Sequence, residues 1–334
     1  MSMVPDPTEL ARVLSHYDTG VVRKIVEVRR GAGQSMKWAI ACERGALLLK
    51  RRPSGVDERG LALIQEAQAA AAGAGFPVPE SVAVRGGAAL LRLEGRLYEM
   101  ARFVSSTPFD ESAGACAAAG AMLARLHALM SRMDVPEVAA GGRGFHRLLR
   151  VQTELVAAGK RLGDEGRRIA KNLGALYTLA GERADALGHA SWSEHLIHGD
   201  WHPGNLLFSG SEIVGLIDFD SVRPGRRAAD VAYGALQFSV IKGEGPVESW
   251  PAGTDEPRFE AFVRGYDGAG TPLGDAERQS LVWLMIEALI AETSGPLAGT
   301  GSFGEVPGLS MLRMIEAKTT WLRDHHARLA SLGP

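Results

Sequence analysis

The sequence predicts an α+β chain in two lobes: a β-rich N-lobe over residues 1–104 and a mostly helical C-lobe over residues 105–334. Three observations carry this reading. The first hundred residues hold short Val-, Ile- and Leu-rich runs separated by Gly, the pattern of an antiparallel meander. From Phe109 onward, long Ala/Leu and Arg/Glu segments of helical character take over. A length of 334 residues, with 46% hydrophobic and 23% charged positions, suits one two-lobed unit with a sizeable core.

The elements follow in order. Val21–Arg29 reads as a strand that ends at Gly31-Ala32-Gly33. Met36–Cys42 and Ala46–Lys50 are strands joined across a turn at Gly45. Asp57–Ala74 is a helix with Leu61, Leu63 and Ile64 on its inner face, stopped by Pro77 and Pro79. Ser81–Val84, Ala88–Glu94 and Leu97–Val104 are further strand candidates, giving an N-lobe of roughly five strands and one helix. Ala113–Ser131, Arg147–Gly159 and Glu165–Leu187 are helices. A small β insert returns at Leu196–His198, Leu206–Phe208 and Ile213–Ile217. Helices resume after Ala228, broken by Gly/Pro loops near 243–254 and 295–308.

Composition excludes several function classes. The 37 Lys and Arg against 39 Asp and Glu leave a net charge of −2, without the basic excess of a general nucleic-acid binder. The two cysteines, Cys42 and Cys116, form no CxxC pair, so neither a disulfide framework nor a thiolate zinc site is expected. MSMVPDPTEL lacks the apolar run of a signal peptide, and no stretch approaches a membrane span. The expectation is a cytoplasmic protein with no membrane partner. There is no GxxxxGK[ST] loop.

The chemistry concentrates in His198-Gly199-Asp200-Trp201-His202-Pro203-Gly204-Asn205, followed by Ile217-Asp218-Phe219-Asp220. Asp200 and Asn205 lie five residues apart in a loop that Gly199, Pro203 and Gly204 force to turn tightly. Asp218 ends the strand Ile213–Ile217, and a hairpin at Ser209–Glu212 would bring it beside Leu206–Phe208. Three oxygen-bearing side chains would then meet at one edge of a small sheet. Such ligands suit Mg²⁺, and a carboxylate left free of metal can accept a proton.

This pair of motifs resembles the aminoglycoside phosphotransferase and choline kinase-like enzymes, small-molecule kinases with a bilobal protein kinase-like fold. The resemblance implies ATP, with GTP open, and Mg²⁺ as cofactors, and transfer of the γ-phosphoryl group to a small-molecule hydroxyl. It makes Asp200 the catalytic base and Asn205 and Asp218 the metal ligands. Asp230 would brace the catalytic loop, although an N-cap would also call for Asp. Lys50, closing the strand ALLLK, resembles the lysine that reaches the phosphates; a solvated strand end is the alternative. Glu66 stands at the spacing of its ion-pair partner, with Glu58 as a competitor. Gly31, Gly33 and Ser35 fall where the family folds a loop over the phosphates. Glu99, Ala101 and Phe103 fall on the hinge strand that pairs with adenine, and Met100 would face the adenine pocket.

The acceptor stays open among aminoglycosides, amino alcohols, homoserine and sugars, as does the oligomeric state. Asp255, Glu256, Glu260, Glu287 and Glu292 are acids that could bind a cationic acceptor or simply be solvated. His198, Asp200 and His202 also read as HxDxH, a possible Zn²⁺ or Fe²⁺ site without a further ligand. His146 has no obvious partner. A nucleotide-binding pseudokinase is the alternative function.

Overall fold

The computed structural model describes residues 7–28, 35–52, 58–135 and 144–332. Strands β1 (Val22–Glu27), β2 (Met36–Cys42), β3 (Gly45–Arg51), β4 (Leu90–Leu93) and β5 (Arg96–Arg102) form one antiparallel sheet, ordered β1-β2-β3-β5-β4. Successive strand residues point to opposite faces. One face carries Trp38, Ile40, Leu47, Leu49, Tyr98 and Met100, all buried in a single apolar cluster. The register aligns Lys37 with Lys50 and Lys50 with Glu99 on the other face.

A helix that sequence patterning did not reveal, α1 (Pro7–Ser15), covers the apolar face with Leu10, Val13 and Leu14. Its Glu9 is buried and accepts hydrogen bonds from Arg51 (3.0 Å), Arg96 and Tyr98. Leu10, Val13 and Leu14 stand at helical spacing, but α1 is only nine residues long, so the stripe covers little more than one turn. The segment read as a strand at Ser81–Val84 makes only isolated bridges, Ser81 to Ala101 and Val84 to Tyr17.

Helix α2 (Glu58–Gly73) turns its apolar face elsewhere. Leu63, Ile64, Ala67 and Ala71 pack into the C-lobe cluster rather than against the sheet core.

The C-lobe is helical, with α3 (Ala113–Met130), α4 (Leu149–Arg161), α5 (Gly163–Ala186), α6 (Arg227–Ser239), α7 (Glu256–Ala269), α8 (Asp275–Thr300) and α9 (Gly308–Ala330). The β insert forms two separate ribbons, not one small sheet. β6 (His195–Ile197) pairs with β9 (Arg223–Gly225), and β7 (Leu206–Ser209) pairs with β8 (Glu212–Leu216). A short hairpin of β10 (Ser302–Phe303) and β11 (Val306–Pro307) precedes α9.

Two helices correct the membrane expectation. α3 and α8 are long and apolar enough to span a bilayer by length and composition, yet 50% and 78% of their apolar windows are buried within the chain. They are the central helices of the C-lobe core. Small residues let α3 approach α7 closely. A Cβ on Gly120 would stand 2.0 Å from the Phe262 carbonyl oxygen, and one on Gly265 would stand 2.1 Å from that of Ala117.

Gly120→Ala should therefore destabilise the protein by about 1–3 kcal/mol or more, because backbone cannot yield as a side chain can. Gly73→Ala, where an added methyl meets nothing within 4 Å, should be neutral or slightly stabilising. Urea unfolding of both variants checks this; equal midpoints would refute the close helix contact.

Candidate active site

The loop 198–205 leaves β6 and is held by buried charge. Asp230, 2% exposed in the first turn of α6, accepts the backbone N–H groups of His198 and Gly199, both at 2.8 Å. It also contacts His127 Nε2 at 3.1 Å. Burial pushes its pKa up, but His127, His198 and Arg223 outweigh that and hold it below the usual carboxylate range. The N-cap of α6 is Arg226, so Asp230 is a loop brace rather than a cap. Gly199 takes φ +77°, and a Cβ there would lie 1.8 Å from Arg223 Nη1. Arg223 in turn donates to the carbonyls of Gly199 (3.1 Å) and Ser221 (2.9 Å), tying this loop to the 217–220 segment.

Within the loop Asn205 Nδ2 donates to the Asp200 carbonyl (2.9 Å) and to Asp200 Oδ2 (3.0 Å). The Ile217 N–H donates to the Asn205 carbonyl at 3.0 Å, which brings Asp218 alongside. Asp218 adopts φ +63°, a left-handed conformation uncommon outside glycine and concentrated at functional sites. His202 Nδ1 accepts from the Gly204 N–H at 3.0 Å, so its Nε2, 3.5 Å from Asp200 Oδ2, carries the proton in the neutral ring. Burial raises Asp200, while His202, His198 and Asn205 hold it below the usual range.

A charge cluster spans the two lobes. Lys50 Nζ stands 2.6 Å from Asp220 Oδ2, 3.2 Å from Asp218 Oδ1 and 3.6 Å from Glu99 Oε1. Lys37 Nζ lies 3.5 Å from Asp218 Oδ2. Arg52 bridges Glu99 and Asp220, each at 2.9 Å. Burial lowers Lys50, but the three carboxylates raise it more, so it stays protonated. Burial likewise raises Asp218, and Lys50 and Lys37 bring it down below the usual range.

On the C-lobe side of Asp200, Tyr233 Oη lies 3.4 Å from Asp200 Oδ1 and 3.2 Å from Glu292 Oε1. Gln237 Nε2 reaches Glu292 Oε2 at 3.4 Å. Burial and the nearby Asp200 charge push Glu292 up to about 7. Phe145 stacks on Tyr233 with ring centroids 5.2 Å apart.

A model of the phosphotransferase enzyme family (APH) matches residues 24–276, most of both lobes. The chain belongs to the phosphotransferase enzyme family. Among curated relatives, a homoserine kinase of Methylocella silvestris is 30% identical over 216 residues, 63% of either chain. The chain thus spans under two thirds of that relative's length. A homoserine kinase of Xanthobacter autotrophicus is 27% identical over 82% of this chain and 80% of its own. Among solved structures, a microcompartment-associated aminopropanol kinase aligns over 97% of this chain and 99% of its own, with TM-score 0.71 and 17% identity. The choline kinase of Cryptosporidium parvum Iowa II aligns over 97% and 95%, with TM-score 0.62 and 14% identity. These likenesses establish the α+β, kinase-like fold of this family member.

Against that fold, the expected residues separate into groups. Asp200, Asn205, Asp218 and Lys50 converge on one cleft. Glu66 does not join them: it is exposed on α2, whose inner face is turned to the C-lobe, and Lys50 takes its carboxylates from Asp218, Asp220 and Glu99. Glu99 sets its side chain against Lys50 and Arg52. Met100 lies on the sheet's opposite face in the N-lobe core, not in the cleft. Ala101 pairs with Leu48 on the Lys50 face. Phe103 is 44% exposed, and its N–H is already donated to the Ala46 carbonyl. Ser35 leads into β2, and Gly31 and Gly33 lie outside the described residues. His198 packs between Trp201 and Phe219 and is not grouped with other metal-type donors among the described residues, so HxDxH does not assemble as a metal site. Lys37, Arg52, Asp220, Tyr233 and Glu292 escaped singling out as cleft residues, Glu292 having figured only among scattered acids. Strand alternation was the available signal for Lys37, which flanks buried Trp38.

Asp230→Ala should cost about 3–5 kcal/mol, the scale for removing one partner of a buried charged network, and should abolish the loop geometry. Asp230→Asn should be milder, retaining one acceptor. Thermal unfolding of both, with the Ala variant no less stable than wild type as the refuting result, checks the brace. Glu292 offers a pH test. Its ordinary value is 4.5 and its folded value about 7, so between them the folded chain holds a proton that the unfolded chain has lost. Its contribution to stability is therefore present at low pH and falls as pH rises through that window. Glu292→Gln should flatten this slope, a difference that paired unfolding curves at either end of the window would reveal.

Proposed function

We propose that this chain is an ATP-dependent phosphotransferase that moves the γ-phosphoryl group to the hydroxyl of a small amine-bearing alcohol, with Mg²⁺ as the metal. The observation that carries the proposal is the convergence of Asp200, Asn205, Asp218 and Lys50 from both lobes on one cleft. A pseudokinase would have no use for the base, and here it stands fully braced.

The donor set fits Mg²⁺. Asn205 spends its Nδ2 on Asp200, and its amide oxygen and the Asp218 carboxylate would hold the metal. Hard oxygen donors of this kind are what Mg²⁺ takes. When bound, the metal would neutralise charge developing on the phosphate oxygens. Lys50, and Lys37 beside it, would hold phosphate oxygens from the N-lobe, with Asp218 and Asp220 keeping Lys50 in place until then. Asp200 orients the acceptor hydroxyl and takes its proton. Its depressed pKa makes it a positioning base that receives the proton late, as the bond to phosphorus forms.

Asp200, with Glu292 joined to it through Tyr233, puts acidic oxygens on the acceptor side of the site. The Asp200 carboxylate there favours an ammonium group, and the relatives named homoserine kinase act on an alcohol that carries one. Homoserine and amino alcohols therefore head the acceptors, ahead of sugars. Residues 1–104 would serve the nucleotide and 105–334 the acceptor, in a cytoplasmic enzyme.

Asp200→Asn should keep nucleotide affinity and lose about 10²-fold or more in transfer rate, the scale of a general base. Wild-type turnover by this variant would remove the base from the mechanism. A coupled nucleotide assay across homoserine, aminopropanol, choline, an aminoglycoside and a hexose tests the acceptor; turnover with the hexose alone would refute amine recognition. Lys37→Ala should raise the KM for ATP and leave that for the acceptor unchanged.

A further inference from the structure

Outside the cleft, two imidazoles and a carboxylate gather where α5 ends. His146 lies in the loop that enters α4, Asp185 is the penultimate residue of α5, and His189 follows Gly188, which takes φ +94° to turn the chain back. Each of the three offers a donor atom within 4.8 Å of the other two. The His146 and His189 ring centroids are 3.9 Å apart.

Two of these donors already have the outer partners that metal ligands use. His146 Nδ1 lies 2.7 Å from Oε2 of Glu287, a carboxylate with no exposed surface, and this leaves Nε2 on the side of Asp185 Oδ1, at 3.0 Å. Asp185 Oδ2 accepts from Arg147 Nη1 at 2.7 Å, so Oδ1 is the oxygen left for the cluster. A carboxylate behind a ligating histidine fixes its tautomer and ring orientation. The third residue adds a buried, unpartnered nitrogen. His189 is 3% exposed, and its Nε2 is buried without a hydrogen-bond partner among the described residues. A hydrogen-bonded His146–Asp185 pair explains the first two side chains but leaves that nitrogen unsatisfied, and unsatisfied buried groups call for an explanation.

We propose that His146, Asp185 and His189 form a second metal site, distinct from the catalytic cleft, for a first-row divalent cation of the zinc class. Two imidazoles and one carboxylate suit Zn²⁺ with an open fourth position, and do not suit Mg²⁺. Donor chemistry therefore separates this site from the all-oxygen pair Asn205 and Asp218. The ion would fasten residues 145–147 to the end of α5. Phe145 stacks on Tyr233, and Tyr233 contacts Asp200 and Glu292, so the site would position the acceptor side of the cleft.

The test uses the metal alone on the full chain. Metal-stripped protein is titrated with Zn²⁺ against a chromophoric chelator, with Mg²⁺ in excess throughout, and Co²⁺ absorption is read in parallel. The expected result is one Zn²⁺ per chain and visible Co²⁺ bands of tetrahedral intensity. His189→Ala should abolish both, and Glu287→Gln should weaken binding about 10–100-fold, the usual effect of losing an outer partner. Circular dichroism of the metal-free variants guards against misfolding, and Asp185→Asn supplies a second ligand variant. A chain that binds no Zn²⁺ at micromolar concentration overturns the proposal. So does a folded His189→Ala or Asp185→Asn variant that binds as wild type does, or loss of the ion in a His325→Ala/His326→Ala variant.

Discussion

Asp230 places a carboxylate inside a helical lobe, where an unpaired charge would be intolerable, and its contacts tie the loop 198–205 to the helices around it. Its oxygens take the N–H groups of His198 and Gly199 and the ring of His127. Those bonds join α3, α6 and the end of β6, three elements that share no sequence neighbourhood. With the peptide planes of 198 and 199 fixed, Asp200 has one direction to leave in. Arg223 then transmits the position to Ser221 and the segment carrying Asp218. The loop's tight space explains why glycine stands at 199 and why the neighbouring Trp201 can be wholly buried.

A second constraint comes from the sheet. Antiparallel register alone sets Lys37, Lys50 and Glu99 in a row across three strands. That row meets Asp218 and Asp220 from the C-lobe, so the lobes are joined by charge at the site where phosphates would lie. Glu99 and Asp220 divide between them the work expected of a helix glutamate. Helix α2 is thereby free to spend its apolar face on the C-lobe, and Glu66 is left to solvent.

Much of this was legible in the chain. The alternation of short apolar runs with glycine announced the meander, and the motif 198–205 with 217–220 announced the cleft, because its glycines and prolines leave the polar heads little freedom. The match to the phosphotransferase enzyme family spans residues 24–276, which include both motifs. Other features left no local mark. α1 is short, Met100 differs from Ala101 only by strand parity, and His146 acquires Glu287 and Asp185 from helices far along the chain.

The sequence by itself determined most of the strands and helices, and the loop in which Asp200 and Asn205 stand close together. Those properties rest on periodicity and on residues whose backbone preferences act within a few positions. Only the tertiary structure decided the partner of Lys50, the face shown by α2, the joining of Tyr233 to Glu292 and Asp200, and the burial that lifts Glu292. Each of these depends on which distant surfaces come to share one low-dielectric space, and that is set by packing between elements rather than by any element's own composition.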